Sequence, residues 1–254
     1  MVAPGAGRAA TARNAGCIYE RSPATQAVRG HSLAIAGCRD VTAVFQAPYP
    51  VNLDLSGRRV LVVGGGEVAA RKVAGLLRAG AAVTVVAPEA VADIAGDPDV
   101  RWHQREYRRG EVASYRLAIT ATDDPAVNRQ VARDGEAANV LVNSADDPAN
   151  CSFILPAVVR RGDLQLTVST NGRSPAFASW ARRRLEETFT DTHAQLLELL
   201  GEVREEVRAA NGTTELPGWE DAIDDELIDL VAAGDVEEAR ARIRSALGLE
   251  GSAQ

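Results

Sequence analysis

The residues with the clearest chemical meaning are three glycines that follow a short apolar segment. Arg59–Val63 is rich in valine, Gly64–Gly66 come next, and a segment with helical spacing starts at Glu67. A helix that starts at a glycine turn presents unpaired N–H groups at its positive end, where phosphate oxygens bind. With a second β-branched segment at Ala82–Val86, the pattern predicts a dinucleotide-binding βαβ unit.

Each small residue has a role in that unit. Gly64 permits the tight turn after the strand, Gly66 lets the backbone approach a pyrophosphate, and Ala69 keeps the helix close to the sheet. A glycine turn alone also occurs in other α/β proteins. The strand before it and the helix and strand after it favour nucleotide binding.

Polar residues follow two later apolar segments. Thr122 and Asp124 follow one of them, and Asp146 and Asp147 follow the next. Asp124 can cap the helix after it, and the later pair can form an ordinary Asp-Pro turn.

Strands alternate with helices in this part of the chain, which is typical of a parallel sheet with right-handed crossovers. The ligand then lies outside the carboxyl ends of the strands, where we expect Gly64–Val68, Ala87–Glu89 and Ala121–Asp124 to meet. The predicted strands and helices are Arg59–Val63, Glu67–Arg78, Ala82–Val86, Glu89–Ala95, Val100–Gln104, Tyr115–Thr120, Pro125–Ala138 and Val140–Asn143.

The pattern changes after Cys151. Phe153–Arg160 and Gln165–Ser169 predict an antiparallel pair, and a helix is expected from Ser174 to Glu187. Two strands and one helix rarely stand alone, so a second subunit is expected to cover them. Three further helices are predicted at His193–Ala210, Trp219–Ala233 and Val236–Leu247. An apolar stripe on the first of them consists of Leu196, Leu199, Leu200, Val203 and Val207.

The predicted fold class is therefore α/β. A Rossmann-type parallel sheet spans residues 49–150, a small α+β dimerisation segment spans 151–190, and an all-α C-terminal domain spans 191–254. Residues 1–48 are rich in Ala, Gly, Arg and Pro without sustained periodicity. They predict a disordered extension, with a transit peptide as the alternative.

Composition excludes several classes of function. A net charge of −7 argues against a general nucleic-acid surface, because phosphate neutralisation needs a basic patch. Three widely spaced cysteines predict neither a disulfide framework nor a zinc site. No apolar segment is long enough to cross a membrane, and the start lacks the apolar core of a signal peptide. The expected location is the cytoplasm.

Five motifs occur in order at fitting intervals and carry a family resemblance. They are GGGEVAARK (64–72), ATDDPAVN (121–128), VNSADDP (142–148), SFILP (152–156) and VSTNGRSP (168–175). Together they resemble the precorrin-2 dehydrogenase family, the NAD-dependent part of sirohaem synthase. The resemblance is strong from about Tyr49 to Glu187 and loose in the helical tail.

The resemblance implies oxidation of precorrin-2 to sirohydrochlorin with NAD as hydride acceptor, and in some members insertion of Fe(II) into the product. The family places its catalytic aspartate after the last strand of the nucleotide domain. Asp146 matches that position, with Asp147 as the near rival. The implied cofactor contacts are Gly64, Gly66, Glu67, Val68, Pro88, Glu89 and Thr122, and the implied substrate contacts are Asn143, Thr170, Asn171, Gly172 and Arg173. Part of the family has a serine in place of Thr170.

The sequence partly indicates whether the cofactor is NAD or NADP. Glu89 is the only acidic residue placed to bind the adenosine ribose, and no arginine stands in Val86–Glu89 to receive a 2′-phosphate. NAD is therefore expected rather than NADP. The tetrapyrrole substrate carries many carboxylates, so an acidic chain must hold it with local cations. The candidates are Arg160, Arg161, Arg173 and Arg182–Arg184, of which the last three also fit a solvated helix face.

No metal site is predicted. His193 is the only histidine in the C-terminal half, and a single helical histidine is more often packed or solvated than a ligand. Two other functions are weighed. An NAD-binding regulatory module without catalysis would lack the motifs at 143–148 and 169–175. A dehydrogenase for small hydroxy or amino acids would need a catalytic His or Lys, and neither His103 nor Lys72 is well placed.

Overall fold

The structure is a computed structural model and describes residues 48–145 and 147–249. The predicted disordered extension, apart from its last residue, lies outside the described residues. So does Asp146, the predicted catalytic residue.

Five parallel strands form the central sheet, in the order β3-β2-β1-β4-β5. The strands are β1 (Arg59–Val63), β2 (Ala82–Ala87), β3 (Val100–Gln104), β4 (Leu117–Thr120) and β5 (Leu141–Ser144). The strand order reverses at β1, between β2 and β4, which is where ligands bind in open sheets of this type. The predicted Rossmann-type fold is confirmed.

Helices cover both faces of the sheet. Alternate residues of β1 point to opposite layers, because successive side chains of a strand alternate. Val60 and Val62 pack with the layer of α1, whereas Leu61 and Val63 pack with the layer of α3. The helices of this part are α1 (Glu67–Arg78), α2 (Ala92–Ala95) and α3 (Pro125–Ala138).

Helix α3 begins as its sequence predicts. The Asp124 carboxylate accepts a hydrogen bond of 2.7 Å from the amide of Ala126, and Pro125 takes the first helical position. The N-terminal cap at Asp124 satisfies an amide that the helix itself leaves unpaired. At the other end, the helix is followed by Asn139, which has a φ of 55°.

The loop between β3 and β4 is fastened to α3 by Asp134. Its carboxylate accepts hydrogen bonds from the amide of Gly110 (2.7 Å), the hydroxyl of Tyr107 (2.9 Å) and the side chain of Gln130 (2.7 Å). Burial alone would raise the pKa of Asp134. The three hydrogen bonds outweigh burial and hold that pKa below its ordinary value.

We expect Asp134 to make stability fall in acid. A carboxyl with a lowered folded-state pKa stabilises the fold fully above its unfolded pKa of about 4, and this contribution is lost as the pH falls through the folded pKa. The urea concentration at the unfolding midpoint should therefore decrease when the pH is lowered below about 4. The decrease should be smaller for Asp134→Asn than for the wild type. Glu136→Gln, an exposed change on the same helix, is the control. Equal pH slopes for wild type and Asp134→Asn would contradict this expectation.

An antiparallel pair and one helix follow the sheet. They are β6 (Ala157–Arg161), β7 (Leu164–Val168) and α4 (Pro175–Thr188). The prediction that the first strand starts at Phe153 was wrong. Pro156 has no amide hydrogen to donate to a strand ladder, and pairing starts at the next residue.

The C-terminal part contains three helices, α5 (Asp191–Asn211), α6 (Asp225–Ala233) and α7 (Val236–Ala246). The predicted apolar stripe of α5 faces α6 and α7, with Leu200 only partly buried. A helix from Trp219 was a wrong prediction, because Asp224 accepts a hydrogen bond from the amide of Leu227 and caps α6 at that point. None of the described helices has the length and apolar character needed to cross a membrane.

Candidate functional site

The glycine turn after β1 is held tightly between two neighbouring segments. Gly64 has a φ of 120°, and a Cβ at that residue would lie 2.3 Å from the carbonyl oxygen of Ala121. A Cβ on Gly65 would lie 2.0 Å from the carbonyl oxygen of Glu89. The three segments predicted to meet at the carboxyl edge of the sheet do meet there.

Gly66 differs from its two neighbours because it faces open space. A Cβ at this residue would meet nothing within 4 Å. Gly66 also precedes α1, whose N-terminus has no side-chain cap, whereas Asp124 caps α3 and Ser174 caps α4. Uncapped amides beside an open backbone form a cradle that fits the pyrophosphate of a dinucleotide.

The other predicted cofactor residues lie around this cradle. Glu67 and Val68 form the start of α1, and Pro88 and Glu89 directly follow β2. Thr122 lies beside the turn through its backbone, with its amide nitrogen 3.2 Å from a Cβ built on Gly64.

The hydroxyl of Thr122 has a structural role. It donates to the side-chain oxygen of Asn128 at 2.9 Å and accepts from the amide of Asp124 at 3.2 Å. Asp124 thus caps α3, while Thr122 lies close to the glycine turn and is joined by its hydroxyl to the first turns of α3.

A compact loop follows β5 and carries the neighbours of Asp146. The Asp147 carboxylate accepts a hydrogen bond of 2.6 Å from Asn150, and Pro148–Asn150 form a 3-10 turn. The structure thus gives Asp147 the simpler role considered for an Asp-Pro pair. Ser144, at the end of β5, lies directly across from Thr120 of β4.

Cys151 closes the same loop. Its thiol accepts a hydrogen bond of 3.2 Å from the amide of Ser144 and lies 3.4 Å from the carbonyl oxygen of Asp147. Burial raises the pKa of the Cys151 thiol, which keeps it protonated and able to donate. Asn143 is buried, and its amide group donates to the Phe153 carbonyl at 2.9 Å.

The predicted substrate turn lies between β7 and α4. Asn171 and Gly172 both have positive φ values, of 51° and 75°, and the amide of Arg173 donates to the Thr170 carbonyl at 3.0 Å. The Thr170 hydroxyl accepts from the amide of Ser174 at 3.2 Å and so joins the turn to the start of α4.

Most of the predicted cations have partners. Arg182 pairs with Glu186, Arg184 pairs with Glu187, and Arg161 pairs with Asp191. Within residues 48–145 and 147–249, the exposed side chains of Arg173 and Arg183 contact no acid or hydrogen-bond partner. Of these two, Arg173 lies in the predicted substrate turn, so it is a better candidate for binding a substrate carboxylate than the paired arginines.

Sequence reasoning missed one arginine near the cofactor residues. The backbone of Arg105 donates to the carbonyl of Ala87 at 3.1 Å, which places Arg105 beside the segment that ends β2. The pairing of Ala87 with Gln104 in neighbouring strands brings it there. Arg105 lies far from Ala87 in the chain. Its position beside Ala87 could be predicted only from the register in which β2 and β3 pair.

Comparisons with known proteins agree with this geometry. Residues 51–157 match the family model described as "Putative NAD(P)-binding", and residues 161–188 match the one described as "Sirohaem biosynthesis protein central". The part of the chain around the glycine turn is thus a domain for NAD or NADP.

Curated relatives include siroheme synthases. That of Photorhabdus laumondii is 36% identical over 205 residues, which cover 78% of this chain and 43% of the relative. That of Methylobacillus flagellatus is 37% identical over 207 residues, which cover 80% and 44%. The chain therefore spans less than half the length of these relatives.

A solved structure described as "SirC, precorrin-2 dehydrogenase" superposes with a TM-score of 0.57 at 29% identity. The match covers 79% of this chain and 98% of that one. Over most of its length, the chain is therefore similar to siroheme synthases and to a precorrin-2 dehydrogenase.

Proposed function

We propose that the chain oxidises precorrin-2 to sirohydrochlorin, with NAD as the hydride acceptor. The observation that carries the proposal is the open cradle at Gly66, which lies at the same edge of the parallel sheet as the end of β5. The SirC neighbour, whose whole length is nearly matched, supports the same reaction. A dehydrogenation needs both parts, one for the nucleotide and one for a base.

The reaction divides between the cofactor and one carboxylate. NAD bound at the glycine turn supplies the acceptor for the hydride. Loss of a hydride from the macrocycle leaves a proton to be removed, and we assign Asp146 as the base that takes it. Asp147 is the weaker candidate because its carboxylate already accepts a hydrogen bond from Asn150.

The finer cofactor assignment is part of this proposal. Glu89 lies just after β2, where an acidic side chain can accept from the 2′-hydroxyl of the adenosine ribose. The same carboxylate would repel the 2′-phosphate of NADP. We therefore assign NAD rather than NADP.

Substrate contacts are assigned to the turn before α4. The Arg173 guanidinium is exposed and can hold a carboxylate of the macrocycle through two parallel hydrogen bonds. Thr170, Asn171 and Gly172 shape that turn, and Asn143 contributes from β5. The proposed location is the cytoplasm.

We also propose that the protein forms a homodimer. Helix α4 has no buried residue of its own, and Val159 is the one core residue of β6 and β7. Phe177 and Trp180 are 55% and 50% exposed on α4, with ring centroids 5.4 Å apart. Exposed aromatic pairs on a coreless segment are typical of subunit interfaces.

We expect Trp180→Asp to convert the dimer to a monomer. A charge placed on a buried interface must be desolvated without a partner, which weakens association strongly. Light scattering after size-exclusion chromatography measures the mass. Ile223→Asp, at an exposed apolar residue of the helical tail, is the matched control and should leave the mass unchanged. A dimeric Trp180→Asp protein would contradict the assignment of this surface.

Incubation with precorrin-2 and NAD without oxygen tests the proposed reaction. The absorption spectrum of sirohydrochlorin should appear with NAD and not without it. Subsequent addition of Fe(II) tests iron insertion as a following step. A protein that binds NAD but leaves precorrin-2 unchanged would instead be a regulatory module.

A further inference from the structure

The pairing of β2 and β3 brings Arg105 to the ribose end of the proposed cofactor site. It follows β3, and its amide extends the pairing of that strand past Ala87. The carbonyl of Ala87 also accepts from the indole of Trp102 at 3.1 Å, so this corner of the sheet is well fixed. An arginine next to the end of β2 is the residue that accommodates the 2′-phosphate in enzymes that use NADP.

The guanidinium of Arg105 is already engaged. It donates to both oxygens of the Glu111 carboxylate, at 3.0 and 2.6 Å, and to the carbonyl of Glu106 at 2.9 Å. Glu111 is fixed in turn by the amide of Arg108 at 2.6 Å. Two-point pairs between arginine and a carboxylate are the most directional ion pairs in proteins.

The Glu111 side chain is only 18% exposed, so solvent competes weakly for it. Burial alone would raise the pKa of Glu111. The hydrogen bonds from Arg105 and Arg108 outweigh burial and hold that pKa below its ordinary value. The carboxylate therefore stays charged and the pair stays closed at neutral pH.

We infer that Glu111, in addition to Glu89, favours NAD over NADP by occupying Arg105, which would otherwise bind the 2′-phosphate of NADP. This inference rests on the proposed nucleotide site and adds a residue that selects between its two ligands. Glu111 acts through Arg105 and does not contact the cofactor itself. It is therefore a residue that sets specificity by positioning another side chain.

The experiment measures the dissociation constants of NAD and NADP by calorimetry for the purified full chain and its variants. Wild type should bind NAD at least about tenfold more tightly, which corresponds to about 1.4 kcal/mol. Glu111→Gln should shift the ratio of the two constants about tenfold toward NADP. The glutamine keeps the size of the side chain and an acceptor for the amide of Arg108, and thermal unfolding checks that the variant is folded.

Three further variants separate this explanation from a general change in charge. Glu205→Gln removes one carboxylate from an exposed ion pair on α5 and should leave the ratio unchanged. Adding Arg105→Gln to Glu111→Gln should cancel the gain in NADP binding, because the released guanidinium is then absent. Arg105→Gln alone should change the ratio less than about twofold, since wild-type Arg105 is occupied.

A folded Glu111→Gln protein that binds NAD with an unchanged ratio would overturn the inference and leave the proposed function intact. A wild type that prefers NADP would overturn it as well, because Arg105 would then reach the phosphate despite Glu111. If the wild type bound neither dinucleotide, the nucleotide site and the proposed function would both be wrong.

Discussion

Gly66→Val is expected to weaken dinucleotide binding at least about 100-fold while leaving thermal unfolding nearly unchanged. Gly66 has φ −82° and ψ −176°, an extended conformation that valine adopts readily. Its Cβ would meet no protein atom within 4 Å, and the side chain would fill space in the cradle. A loss of 100-fold corresponds to about 2.7 kcal/mol of binding free energy. Calorimetry with NAD and a thermal melt measure the two quantities.

Two other glycines provide controls for this variant. Gly64→Ala should instead damage the fold, because its Cβ would clash with the backbone of Ala121 at a positive φ. Gly201→Val makes the same change on α5, where a Cβ also meets nothing, and should leave NAD binding unchanged. A Gly66→Val protein that binds NAD like the wild type would show that the cradle is not the phosphate site.

Asp146→Asn is expected to abolish oxidation and to leave NAD binding unchanged. Asparagine preserves the shape of the side chain but cannot accept a proton, and loss of a general base costs about 10² to 10⁴ in rate. The measurements are the turnover rate with precorrin-2 and the dissociation constant of NAD. A variant that still turns over at the wild-type rate would refute the assignment of Asp146 as base.

Asp147→Asn separates the two adjacent carboxylates. The Asp147 carboxylate accepts a hydrogen bond from Asn150 and precedes the turn at Pro148. We therefore expect this variant to lower thermal stability by about 1 kcal/mol and to keep most of its activity. If Asp147→Asn lost oxidation and Asp146→Asn kept it, the roles would be exchanged.

Much of the fold could be predicted because its signals are local. The bounds of β1, α1, β3 and α3 agree with the structure to the residue. For β1, α1 and α3 the reason is a glycine, a cap or a proline at one end of the element. The failures lie where two local signals compete. Trp219 continues an apolar pattern, but the Asp224 cap starts the helix six residues later.

The candidate site was only partly predictable, because its parts meet through strand pairing. The glycine turn can be recognised in the sequence because its residues are consecutive. Its closeness to Ala121 and Glu89 follows from the parallel pairing of the strands. The position of Arg105 beside Ala87 depends on the register of an edge strand, and sequence pattern specifies register weakly. The local roles of Asn143, Thr122 and Asp147 depend on side-chain hydrogen bonds, which spacing does not reveal.

The central claim is that nucleotide and macrocycle exchange a hydride at the carboxyl edge of the sheet. An anaerobic single-turnover experiment with equimolar protein, NAD and precorrin-2 tests it most directly. We expect one NADH to form for each sirohydrochlorin, at the same rate, and neither product to form with Gly66→Val. Sirohydrochlorin that forms without NADH, or equally fast in the Gly66→Val protein, would contradict it.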